Sequence, residues 1–314
     1  MNEGGPLNNG EKHNDFPLVR RPSSAVGKAA PGAKRILSGM VADTLALASR
    51  RALDLRETPT VEEDAASLYQ RGLDFYYGHG RPKDFAAAAR FIRQAATKGL
   101  VEAQYGLGVL LENGRGLAKD YTEAAKWYRS AAEQGHAEAQ NNLGWMLTEG
   151  YGVTKDDVEA VKWQREAAEQ GNAMAQFNLG CKYADGKGVP QDHAEAAVWY
   201  RKAAEQGRGD AQFKLGMGYH YGRGLTRDYT EAARWFQKAA EQGHARAQRM
   251  LGLAYLLGNG VPQDDFEAYK WIRLAVELGC EDTSGALIVA GASFSTEEVE
   301  RRYQEFRSQK NLSK

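Results

Sequence analysis

The residues best suited to chemistry are the glycine-rich turns, the histidines and the two cysteines. Gly-x-Gly turns recur, for instance Gly150-Tyr151-Gly152 and Gly222-Arg223-Gly224. Such a turn can cradle a phosphate, but only between a strand and a helix N-terminus, and the pattern predicts no strand. Recurrence in every block makes them turn glycines instead. His136 and His244 share one phase that Asn172 and Arg208 hold elsewhere, so they read as helix-start residues; a metal needs three or four converging donors. His220 has no carboxylate or cysteine partner in its neighbourhood, and Cys181 reads as a small buried hydrophobe. Nucleophile elbow, HExxH, Walker motif and paired catalytic carboxylates are all missing from the sequence. The expectation is no enzyme, with no catalytic residue, metal or cofactor.

What positions these residues is a block of 36 residues that recurs six times between Ser67 and Asp282 without insertion or deletion. One column reads Gly72, Gly108, Gly144, Gly180, Gly216 and Gly252, and another Phe91, Trp127, Trp163, Trp199, Trp235 and Trp271. Periods of this size mark stacked supersecondary units, none able to bury its apolar face alone. Forty-one basic side chains balance 41 acidic ones, which gives no footprint for nucleic acid or an anionic membrane. No apolar run approaches the roughly 20 residues needed to span a bilayer. The polar start MNEGGPLNNGEKHNDF lacks an apolar h-region, so a cleaved secretory signal is not expected. Two cysteines at unrelated phases suit a reducing compartment, and a cytoplasmic location follows as the expectation.

Each block reads as two antiparallel helices. Helix A of the second block runs from about Glu102 to Asn113, with Gly114 supplying its left-handed end. Helix B starts at Asp120, whose side chain faces the free amides of the first turn, and Glu123 three residues on suggests a capping box. The pair returns as Asp156/Glu159, Asp192/Glu195, Asp228/Glu231 and Asp264/Glu267, while the first block has Asp84 with Ala87. The expected organisation is a disordered tail over 1–33, a helical linker or N-terminal cap over 34–60, six repeats over 61–283 and a capping helix within 284–314. In the last segment Ser295 and Glu298 open a helix carrying Val299, Tyr303 and Phe306 on one side.

The columns resemble the Sel1-like repeat family, a relative of the tetratricopeptide repeat. The pattern AQxxLGxxYxxGxGVxxDxxEAxxWxxKAAEQG is met nearly in full by Ala175 to Gly207 and by Ala211 to Gly243. The resemblance implies an all-α, right-handed α/α solenoid of six helix-turn-helix repeats, closed by a C-terminal capping helix. It also implies a non-enzymatic scaffold for protein complexes, often in bacterial signalling or host interaction. Cysteine pairs that staple some secreted members are absent from this sequence.

Positions that vary between blocks lie two residues before the Leu-Gly leucine of helix A and two and five residues after it. Their spacing places them on one helical face. By similarity to tetratricopeptide repeats this face lines the concave groove. Its candidate partner-binding residues are Tyr69, Tyr105, Asn141, Trp145, Phe177, Phe213, Met217, His220 and Arg249, with Tyr77 and Tyr221 beside them. An exposed aromatic groove suits an extended or helical peptide. The functional expectation is a scaffold holding a protein or peptide partner, with no nucleic acid and no stable membrane insertion. The alternative is a bacterial effector exported without a cleaved signal, engaging a host protein through the same array. Sequence does not set the oligomeric state.

Overall fold

An aspartate starts each second helix, which carries a tryptophan in every repeat but the first, where Phe91 stands. A computed structural model describes residues 63–280 and 284–309; the expectations for 1–33 and 34–60 lie outside them. The chain divides into two compact units, Met1–Asp120 and Tyr121–Lys314. In the first, the helices are α1 (Ala65–Tyr77), α2 (Phe85–Thr97) and α3 (Val101–Asn113). In the second they are α4 (Tyr121–Glu133), α5 (Ala137–Glu149), α6 (Asp157–Glu169), α7 (Ala173–Asp185), α8 (His193–Glu205), α9 (Gly209–Tyr221) and α10 (Tyr229–Glu241). There follow α11 (Ala245–Leu257), α12 (Asp265–Glu277), α13 (Ser284–Gly291) and α14 (Thr296–Gln309). No strand occurs among the described residues.

The aspartates cap as expected. Asp156 accepts the Glu159 amide at 2.9 Å, and Asp228 accepts those of Thr230 and Glu231 at 2.9 and 3.0 Å. The first block keeps this bond, from Ala87 to Asp84 at 2.9 Å. The reciprocal half of the expected capping box is replaced by something else. Each Asp amide already donates to helix A of its own repeat: Asp156 to the Leu147 carbonyl at 3.0 Å, Asp228 to that of Tyr219 at 3.0 Å. With that donor taken, the glutamate accepts the indole N–H one turn later. Glu159 holds Trp163 at 3.1 Å, Glu195 holds Trp199 at 2.8 Å and Glu267 holds Trp271 at 3.1 Å.

The fifth repeat breaks this rule. Glu231 is drawn to Arg234 at 3.0 Å, and the buried Trp235 indole N–H has no partner among the described residues. Trp199→Phe is therefore expected to cost about 1–2 kcal/mol more than Trp235→Phe, since only the former breaks a hydrogen bond and the latter removes an unsatisfied donor. Paired urea melts check this; equal losses would mean the indole bond adds nothing.

The invariant glycine of helix A permits the two helices of a repeat to touch. A Cβ added at Gly216 would lie 2.7 Å from the Phe236 ring of α10. Around this contact Leu215, Phe236, Ala232 and Ala239 are fully or almost fully buried, each large apolar side chain contributing about 1.5–3 kcal/mol. Glutamines join neighbouring repeats within the second unit. Gln176 donates to the Ala168 carbonyl at 3.1 Å and accepts from Gln206 at 2.8 Å; Gln212 repeats the pattern with Ala204 and Gln242. At the end of the array, Leu278 occupies the position of Gln206 and Gln242, and the buried carbonyl oxygen of Gln248 is left unpaired. There α14 takes over: Ser295 caps Glu298 at 3.2 Å, and Val299 and Tyr303 bury against Tyr269 and Ile272 of α12.

Candidate interaction surface

Each of the nine candidate residues of helix A is either covered by its own chain or partly open to solvent. In the first unit Tyr69 and Tyr105 are buried. In the second unit Asn141, Phe177 and Phe213 are buried too, which corrects the expectation that they line an open surface. The physical reason lies at the start of the next helix A. The Arg208 guanidinium sits 5.0 Å from the centre of the Phe177 ring, and the His244 imidazole stacks on Phe213 at 4.8 Å. Asn141 is spent on a ladder, accepting from Asn178 at 3.0 Å. Helix-start residues thus roof the aromatics of the preceding repeat.

His136, Asn172 and His244 also cap, accepting from Ala139, Ala175 and Ala247 at 3.3, 2.9 and 3.1 Å. Arg208 provides no such cap. It pairs with Asp210 at 3.2 Å, and Asp210 meets His244 at 3.5 Å through its other oxygen. The hydrogen bond from His244, and then the Arg208 charge, hold the Asp210 carboxyl below its ordinary 3.8 although burial opposes them. A carboxyl depressed in the folded state contributes stability that is present above 3.8 and lost as pH falls below it. Asp210→Asn should therefore flatten the acid limb of a Tm-against-pH curve below that value. An unchanged limb would show that Asp210 is not coupled to folding.

Trp145, Met217, His220 and Arg249 are the candidate residues that reach solvent in part. Trp145 lies 5.1 Å from Tyr151, which is 41% exposed and stacks on Tyr121 at 5.1 Å. Met217 borders the Phe213 and Phe236 cluster. His220 stands edge-on to Tyr221 at 4.7 Å and to Tyr229 at 5.3 Å; burial and then the nearby Arg227 charge lower its pKa. The sequence reading missed Tyr151 and Tyr229, which belong to the turn and to the first residue of helix B. Tyr151 had a signal in the sequence, being aromatic where the other blocks carry His79, Arg115, Lys187, Arg223 and Asn259; Tyr229 did not stand out, because Phe85 and Tyr121 share its column.

Cys181 is packed against Phe177 and Tyr200, accepts the Tyr200 hydroxyl at 3.5 Å, and has its thiol pKa pushed up by burial. It is a partly buried residue at the edge of that cluster. Among the described residues no three His, Cys, Asp or Glu side chains converge as a metal site would require. No described helix is long and apolar enough to cross a membrane.

The Sel1 repeat family model matches residues 65–100, 101–136, 137–172, 173–207, 209–244 and 245–280. The chain belongs to the Sel1 repeat family. Two solved structures support this Sel1 assignment. One is c5321, a protective antigen of uropathogenic Escherichia coli strains: 33% identity, TM-score 0.72, covering 83% of this chain and 56% of that one. The other is a Sel1 repeat protein from Oxalobacter formigenes: 33% identity, TM-score 0.65, covering 72% and 65%. This Sel1 chain thus spans less than two thirds of either relative's length. A search of curated proteins found no match. The Sel1 repeat is an all-α solenoid fold, commonly a scaffold for protein–protein interaction and typically non-catalytic.

Proposed function

We propose that this protein is a non-catalytic scaffold that holds a segment of a protein partner against helix A of the repeats in the Tyr121–Lys314 unit. One observation carries the reading. After caps, turns and inter-repeat packing have used the fixed columns, Trp145 and Tyr151 still present adjoining aromatic surface to solvent. Aromatic anchors of this kind contribute about 2 kcal/mol or more apiece when a partner covers them. Phe177 and Phe213, covered by Arg208 and His244 of the same chain, are not among these anchors.

The test is affinity capture with the intact chain beside Trp145→Ala/Tyr151→Ala, followed by titration of a recovered partner in purified form. The double variant should bind at least about tenfold more weakly while keeping its far-UV circular dichroism. Unchanged affinity would remove this face from the reading. A second reading, in which the array faces a host protein, draws on the likeness to a protective antigen; cell fractionation showing the chain only in the cytosol would discard it.

A further inference from the structure

The turn between α9 and α10 differs from its neighbours in charge and in exposure. Tyr221 is 53% exposed and Tyr229 37% exposed, and His220 holds both rings edge-on from between them. The Arg223 guanidinium lies 5.3 Å from the Tyr221 ring centre and that of Arg227 lies 5.7 Å from the Tyr229 ring centre. Neither arginine forms an ion pair with a carboxylate of the described residues. The nearby acids are already engaged: Asp228 caps α10, and Glu231 holds Arg234 at 3.0 Å. In the preceding block the residue matching Arg223 is Lys187, paired with Asp185 at 3.3 Å, and the residue matching Arg227 is the uncharged Gln191. Basic residues recur in these columns, as Arg115 with Lys119 and as Lys155 in the block of Tyr151, but the fifth repeat alone carries arginine in both.

We infer that Arg223, Arg227, Tyr221 and Tyr229 form a subsite for an acidic segment of a protein partner. The inference rests on the scaffold reading for the partner being a protein, and adds its chemistry. A planar guanidinium presents paired donors that match a carboxylate, and charge-assisted bonds of this kind are the stronger ones. Stacking over tyrosine limits how far each guanidinium wanders before it meets its ligand. The exposed ring surfaces accept an apolar side chain next to the acid.

The test is fluorescence anisotropy with the full chain and a short fluorescein-labelled peptide that alternates Glu and Leu. A Lys/Leu peptide and labelled oligo-dT serve as comparators. The intact chain should bind the acidic peptide, more weakly as salt rises. Arg223→Glu/Arg227→Glu should weaken it by about tenfold or more, and Tyr221→Ala/Tyr229→Ala several-fold. Lys162→Glu/Arg246→Glu, which changes charge equally elsewhere, should shift Kd by less than about twofold. Circular dichroism of each variant confirms folding. The inference is overturned if both charge reversals act alike, or if oligo-dT binds more tightly than the acidic peptide. Loss of this subsite alone leaves Trp145→Ala/Tyr151→Ala still impairing partner capture; loss of the scaffold reading abolishes both effects.

Discussion

Gly224→Ala is expected to destabilise the Tyr121–Lys314 unit by about 3 kcal/mol or more. Gly224 is the second glycine of its turn and has φ +71°, where an alanine alone loses about 1–2 kcal/mol. Its added Cβ would also lie 2.0 Å from the His193 carbonyl oxygen of the preceding repeat. Backbone stands on both sides of that contact, so no rotamer change relieves it, and the two repeats must part. Gly207→Ala is the control: φ is +88° but nothing lies within 4 Å of the new methyl, so only the conformational cost applies. Urea unfolding followed by far-UV circular dichroism should separate the two by about 2 kcal/mol, with a shallower transition for Gly224→Ala because repeats contact mainly their neighbours. Equal losses would show that the turn does not register one repeat on the next.

Phe213→Ala should cost about 3–5 kcal/mol, the range for deleting a buried aromatic. Its ring is 8% exposed, lies between Phe236 at 6.0 Å and His244 at 4.8 Å, and closes the cluster with Leu251 and Ala247. Trp145→Ala, at a partly exposed site, should cost only about 1 kcal/mol. Thermal melts of the two single variants check the contrast. If Phe213→Ala melted with the native chain, the roof formed by His244 would be an open lid and Phe213 would return to the accessible surface.

The repeat register, the aspartate caps, the left-handed glycines after each helix and the closing helix with Val299 and Tyr303 were all readable in the sequence. Each depends on residues within a few positions of one another, recurring at a fixed period. What was hidden depends on the other helix of the repeat or on the neighbouring repeat. Glu159 looked like half of a capping box because its spacing from Asp156 is right, but the Asp156 amide is consumed by Leu147 in the other helix. Phe177 and Phe213 looked like groove anchors because they vary between blocks. Variation there reflects co-packing with an equally variable Arg208 or His244, 31 residues on in each case. Of the candidate surface, Trp145, Met217, His220 and Arg249 remain partly accessible, and the structure adds the turn residues Tyr151, Arg223 and Arg227 and the helix-start residue Tyr229.

On the proposed function, open aromatics on helix A and its following turn, rather than the buried columns, hold the protein partner. The most direct measurement is calorimetric titration of a captured, purified partner into the intact chain, Trp145→Ala/Tyr151→Ala and Gly207→Ala. Affinity should fall at least about tenfold for the aromatic pair and stay native for Gly207→Ala, which is destabilised without touching that face. Native affinity for the aromatic pair, or equal weakening of both variants, would contradict it.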